Sequence, residues 1–440
     1  MGPTIDRTPL VKTQGGRVLN CTLHDSLVTG SEKLWSCRCT LMTKKEFSLT
    51  ESTTGLCFAL PLISVLIYAC CPLVHNATRE FYKLPYYNVV GGTYTQGWGD
   101  LRFVLLGSVL FTVLRAVTMR YLLKPLARLG GVEMKNIARF AEQGWLMIHH
   151  SSFWITGMYI NYNSAYWMNL YELWTNFPTR EMTSLMKSYY LLQLAFWLQQ
   201  ILVINFEKRR KDYFQMLTHH LITSVLLATS YTYYQTKVGN VILCLVDVVD
   251  ALFAAAKLLK YLGFQTACDV AFGIFIVSWI AERHVLYIMV CWSTYTHLTT
   301  VMPYGCYDSI SGSLLPDSIR TPRNGVDKIF REILQSLRDP GGPICFNSSI
   351  RSVFLGLLGG LQLLMLVWLW MILKVAKMVL EGQGADDTRS DDEESTSDEL
   401  DEKYGHNLAQ CSTVSGSLVF PSSNESIGTV RSRDLVKVNA

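Results

Sequence analysis

The chain has 440 residues, half of them hydrophobic, and a net charge of +4. The apolar residues are gathered into long runs, which excludes a soluble globule and points to a chain that crosses a membrane several times. The 12 cysteines form no Cys-x-x-Cys pair, which excludes a zinc module or a thioredoxin-like site.

A spanning helix needs about 20 predominantly apolar residues. Eight stretches qualify: 55–74, 103–123, 143–162, 188–206, 214–234, 240–258, 270–293 and 352–374. The predicted fold is all-α, a polytopic membrane bundle of about eight transmembrane helices with a disordered acidic C-terminal tail. Residues 1–54 are polar and carry Lys33, Arg38, Lys44 and Lys45 ahead of the first run, so this segment reads as cytoplasmic. The first run comes too late for a cleaved secretory signal. It reads as a retained signal anchor and favours the endoplasmic reticulum. Residues 55–134 are expected to hold the first two spans, with a sequon at Asn76 against the membrane. Arg120, Lys124 and Arg128 at the end of the second span place 124–142 in the cytoplasm.

The third span contains His149 and His150. They read as interhelical hydrogen-bonding residues, because no acidic pair follows on the next span. The fourth holds Gln193, Gln199 and Gln200 and runs into the densest basic cluster, Lys208 to Lys211. Parity and charge both place that cluster in the cytoplasm. The fifth span carries His219-His220 roughly two turns inside. The sixth carries Asp247 and Asp250, and the seventh Glu282-Arg283-His284. The loop 294–351 is expected to be lumenal. It holds Cys306 and Cys345, which an oxidising lumen would join, and a second sequon at Asn347. Residues 381–440 form the cytoplasmic tail. Its stretch from Asp386 to Glu402 is acidic and poor in apolar residues, hence disordered. Ser390 and Ser395 each have an acidic residue three positions on, a sequence acceptable to acidophilic kinases.

Charges inside a membrane cost about 2.5–3.5 kcal/mol each at the helix centre. Asp247, Asp250, Lys257, Glu282 and Arg283 must therefore face one another or a wet cavity. The spacing of Asp247, Asp250 and Lys257 puts them on one helix face. Lys257 and Arg283 are expected to support the carboxylates, with Glu282–Arg283 as a self-neutralising neighbour pair the competing reading. His219 and His220 are about 100° apart on a helix, which argues against both ligating one metal and for divided roles. A carboxylate behind one imidazole would fix its tautomer and raise its basicity. His219, His220, Asp247 and Asp250 thus suit proton abstraction inside the membrane. A proton-coupled transporter and a non-catalytic lipid sensor are the alternatives, but no inverted repeat or pair of broken spans is visible.

The runs RRKDYFQMLTHH, SYTYYQTKVGN and LVDVVDALFAAAKLLKYLGF resemble the signature of the TLC-domain ceramide synthases of the fungal branch. NLYELWTNFPTREM and IVSWIAERHVLYIMVCW are similar as well. The resemblance covers roughly residues 135–310, and the catalytic domain is expected over 135–380. It implies N-acylation of a sphingoid base by fatty acyl-CoA in the endoplasmic reticulum membrane, as a multi-pass protein with both termini cytoplasmic. It matches His219 and His220 to the family's histidine pair, and Asp247 and Asp250 to its paired aspartates. No bound cofactor, no metal and no nucleic acid are expected; acyl-CoA is a co-substrate. The partners implied are the two substrates, membrane lipid, and a homo- or hetero-oligomer with another ceramide synthase or a small accessory subunit. Arg209, Arg210 and Lys211 are placed to hold CoA phosphates at the cytoplasmic mouth. Many animal members differ at Tyr234, Lys237, Val246 and Ala254, having Asn, Arg, His and Glu there.

Overall fold

The computed structural model describes residues 10–12, 18–24, 36–41, 83–207, 212–308, 311–316, 326–339 and 341–381. Among the described residues, seven long helices carry the fold: α1 Gly99–Leu129, α2 Ile137–Tyr162, α3 Ser184–Phe206, α4 Tyr213–Thr232, α5 Thr236–Tyr261, α6 Gln265–Val301 and α7 Ser348–Leu380. Each coincides with one predicted span. The predicted span 55–74, Asn76, residues 208–211 with Arg209, Arg210 and Lys211, and the tail with Ser390 and Ser395 lie outside the described residues. Four helices, α1, α3, α6 and α7, are long and apolar enough to cross a membrane by length and composition. Helix α1 continues to Leu129 rather than stopping near 123, through a widened π-type turn over Thr118–Leu123. A second such turn, Ala281–Leu286, interrupts α6.

The chain is not purely helical. Leu10–Lys12, Val18–His24 and Ser36–Leu41 form a three-stranded antiparallel sheet. Two short strand pairs flank the bundle, one of them Gly305–Tyr307 with Ile344–Phe346. Cys306 and Cys345 lie opposite each other in that pair and are joined by a disulfide.

Local signals explain the helix ends. Thr183 caps α3 by accepting from the Met186 amide, and Asn347 caps α7 by accepting from Ile350. The Asn347 side-chain amide also donates to Glu332 at 2.7 Å. Gly263 turns α5 into α6 with φ of +79°, a conformation that a Cβ disfavours. Tyr234 makes the α4–α5 turn at φ of +59°, unusual for a bulky residue.

Packing runs α1 on α3, α3 on α4, α2 on α5, α5 on α6, and α7 on α4. The α2–α5 seam is close because Gly157 leaves room for Tyr189 and Cys244. Asn240 donates to the Gly157 carbonyl at 3.3 Å and accepts from the Tyr166 hydroxyl at 3.1 Å. Burial pushes the Tyr166 phenol up to about 12, so it remains a donor at neutral pH. A second polar node ties α1, α3 and α4. Lys187 Nζ lies 2.7 Å from Asp100 and donates to the carbonyls of Pro85 and Thr95. Asp100 accepts in turn from the Tyr231 hydroxyl at 2.8 Å. Lys187 is fully buried, so this pair is held by its partners rather than by water.

Candidate active site

Helix α4 buries both His219 and His220. Trp197 of α3 stands against both rings, at 5.6 and 5.4 Å between centroids, and Trp368 of α7 covers His219 at 5.0 Å. The two imidazoles are 5.5 Å apart and tilted by 55°. Each has a buried Nδ1 with no hydrogen-bond partner. His219 lines the central cavity and His220 does not, which fits the divided roles expected from their angular offset.

The carboxylates are close by, but their partners differ from the expected ones. Asp247 is fully buried on α5. It accepts from His150 Nδ1 at 2.8 Å and from Gln193 Nε2 at 2.6 Å. Asp250 accepts from Arg283 at 2.5 Å. Arg283 also donates to the Val246 carbonyl at 3.3 Å and stacks on Trp279 at 4.4 Å. The expectation that a carboxylate directly backs His219 or His220 is therefore corrected. The reason is packing order: α2 lies along α5 and brings His150 to Asp247, whereas α4 reaches the site through Trp197. His150 does make the interhelical hydrogen bond expected of it, but to an aspartate that the sequence assigned to His219 and His220. Arg283 supports a carboxylate as expected, and its partner is Asp250 rather than its neighbour Glu282.

Lys257 lies on the same helix, α5. Its ammonium lies 4.4 Å from the Phe253 ring centroid, one turn back along α5. His149 faces away from the carboxylates, stacked on Phe196 and Phe153. Among the described residues, no group of three or more His, Cys, Asp or Glu is placed to hold a metal ion.

The cavity is the other half of the site. It runs between α4, α5 and α7 and is lined mostly by apolar side chains. Thr223, Leu226, Leu227, Ser230 and Tyr233 line it along one face of α4 below His219. Val238, Gly239, Ile242, Leu243 and Val246 face them from α5, and Phe354, Leu358, Leu361 and Met365 from α7. Such a container suits an extended hydrocarbon chain with its reacting end at His219. Phe346, next to the disulfide, also lines it, and the Tyr233 hydroxyl donates to the Cys345 carbonyl at 2.8 Å.

Residues 139–374 match the family model for the TLC domain, the TRAM, LAG1 and CLN8 group. The chain belongs to that family. TLC-domain relatives are similar along most of its length. The sphingosine N-acyltransferase-like protein ALT7 of Alternaria alternata is 65% identical over 354 residues, 80% of this chain and 78% of that protein. The ceramide synthase FUM18 of Gibberella moniliformis is 39% identical, over 77% of this chain and 78% of its own. The sphingosine N-acyltransferase lag1 of Schizosaccharomyces pombe is 37% identical, over 80% of each. With its apolar helices, this TLC-domain chain is a multi-pass membrane protein.

The sequence marks His150 and Gln193 as interhelical hydrogen-bonding residues without naming Asp247 as their partner, and it does not single out Trp197. A polar or aromatic side chain inside an apolar run was their only signal, and it does not say which helix lies opposite.

Proposed function

We propose that this chain is a ceramide synthase, transferring the acyl group of a fatty acyl-CoA to the amine of a sphingoid base. The observation that carries the reading is His219 at one end of a long apolar cavity, with the His150–Asp247–Gln193 and Arg283–Asp250 sets packed behind it. The names of its relatives support the same reaction.

The chemistry requires a C–N bond to form and a C–S bond to break. A sphingoid amine is mostly protonated at neutral pH and must give up a proton before it attacks the thioester carbon. The ammonium proton is released to solvent; the His219 imidazole then accepts the second proton from the attacking nitrogen as the C–N bond forms and returns it to the departing CoA sulfur. In the second route, the imidazole itself attacks the thioester and the amine then takes the acyl group from it. His220, beside His219 and against the same tryptophan, orients the pair. Asp247 holds His150, and Asp250 neutralises Arg283 beside the reacting pair. Arg209, Arg210 and Lys211 hold the CoA phosphates at the cytoplasmic mouth.

The reading carries a topology. Eight spans, beginning with 55–74, leave both termini in the cytoplasm and the 294–351 loop in the lumen of the endoplasmic reticulum. The Cys306–Cys345 disulfide on that side supports the assignment. The acidic tail takes phosphate at Ser390 and Ser395. Asn76 and Asn347 are the sites where a lumenal glycan would attach. A second ceramide synthase or a small accessory subunit completes the assembly.

The test uses microsomes from cells without other ceramide synthases, given a sphingoid base and a panel of acyl-CoAs. N-acyl product from the parent chain, lost by about 10²–10⁴ in His219→Ala and in His220→Ala at equal expression, is the expected result. Undiminished product from the double variant would overturn the assignment of the histidines. Acylated protein trapped on denaturation, absent in His219→Ala, selects the covalent route.

A further inference from the structure

The two ends of the cavity each carry an arginine, and the two are held differently. Arg283, at the His219 end, is neutralised by Asp250. Arg351, in the first turns of α7, lines the opposite end together with Gln235 and Phe346. Its guanidinium lies between two tyrosine rings, 5.5 Å from Tyr295 and 5.7 Å from Tyr304. Among the described residues it makes no ion pair and no side-chain hydrogen bond, and its Nε is buried without an acceptor. Between the two ends the wall is apolar, built from residues such as Leu226, Leu227, Ile242, Leu358 and Leu361.

A guanidinium is a rigid fork of donors with no acceptor, and it stays charged. Aromatic faces partly stabilise the cation but offer nothing in the plane of the fork. The ligand that fits in that plane is an oxyanion, bound through two parallel N–H···O bonds. His219 and Tyr233 line the same face of α4, about 21 Å apart along the helix axis at about 1.5 Å per residue. Helix α7 runs antiparallel to α4 along the cavity, so its first turns lie at the Tyr233 end. An oxyanion at Arg351 therefore terminates a lipid chain whose other end is near His219.

We propose that Arg351 is a receptor for an oxyanion carried at the far end of a long-chain lipid in this cavity. The lipid's identity as an acyl donor or product rests on the acyltransferase reading; the receptor itself does not. Two sources share this chemistry: a carboxylate at the distal end of the chain that occupies the cavity, and the phosphate of a phospholipid reaching in from the adjoining leaflet.

The test measures binding rather than turnover, so a failure to form N-acyl product would count against the acyltransferase reading alone. The full chain is purified into nanodiscs of a neutral, phosphate-free glycolipid. The probes are two long-chain amides, identical except that one bears a carboxylate at the end opposite the amide, compared over a series of lengths. At the best length, the carboxylated amide is expected to bind about tenfold or more tighter. The ratio should collapse towards one in Arg351→Met and fall part-way in Arg351→Lys, which keeps the charge and loses the fork. Repeating the comparison in phospholipid discs separates the sources. A preference that persists assigns the oxyanion to the chain terminus, and one that disappears assigns it to a headgroup phosphate competing for Arg351. Equal binding of the pair by the parent chain at every length overturns the proposal, as does a ratio unchanged in Arg351→Met. If Arg351→Met does not fold, the parent ratio and Arg351→Lys decide.

Discussion

His150 Nδ1 lies 2.8 Å from Asp247 Oδ1, with both side chains almost entirely out of solvent. The bond joins α2 to α5 at the level of the site. Removing the imidazole leaves a buried carboxylate with only Gln193, and breaking one partner of a buried pair costs about 3–5 kcal/mol. His150→Ala is expected to unfold at lower temperature in detergent and to lose product by about 10² or more. His150→Gln, which can still donate to Asp247, should recover more stability than turnover. Parental turnover from a stable His150→Ala protein would show that Asp247 does not work through His150.

Arg283 and Asp250 should behave as a unit. Asp250→Asn and Arg283→Gln each strand the other partner next to the cavity. A double-mutant cycle on stability is expected to give a coupling of about 0.5–3 kcal/mol. Additive single effects would mean that the 2.5 Å contact carries no energy of its own.

Gly239 is required by its neighbour. A Cβ there would run into the Tyr190 hydroxyl, which is itself 2.5 Å from Ser230. Gly239→Ala should therefore cost about 1–3 kcal/mol as an overpacked contact and narrow the cavity towards its Gln235 end. Adding Tyr190→Phe removes the nearest clashing atom and should restore part of the loss. If Gly239→Ala alone matches the parent in melting temperature, α5 does not approach α3 this closely.

The Lys187–Asp100 pair gives a sign that simple counting of contacts would miss. Lys187→Met or Asp100→Asn alone leaves the other partner of a buried ion pair unsatisfied, so each should destabilise by about 3–5 kcal/mol. The double variant should lose less than the sum of the two. Because Asp100 also holds the Tyr231 hydroxyl at 2.8 Å, the single variants should loosen the end of α4 far from His219. Hydrogen exchange over 228–234 is the direct readout.

Seven of the eight apolar runs form helices among the described residues, and four of these are long and apolar enough to cross a membrane. His219, His220, Asp247 and Asp250 stood out as costly residues close together in sequence. Their pairing was not legible. Sequence proximity favoured α4 with α5, but the carboxylates are held from α2, α3 and α6, and such contacts leave no local periodic trace. His150 was assigned an interhelical bond without its partner for that reason. Arg351 lies at a helix start where a cation normally reads as an interfacial anchor. Only the cavity reveals what its guanidinium faces.

Trp368 covers His219, yet it belongs to the last helix among the described residues and follows both disulfide cysteines in the chain. A nascent chain thus acquires its histidines, aspartates and Arg283 well before it acquires the wall that encloses them. Until α7 docks, the reacting imidazole stays open to the surrounding lipid and to any water that enters the bundle. A chain truncated ahead of α7 would keep every group assigned to the chemistry and still lack an enclosed reaction chamber. Enclosure of His219 therefore waits for α7.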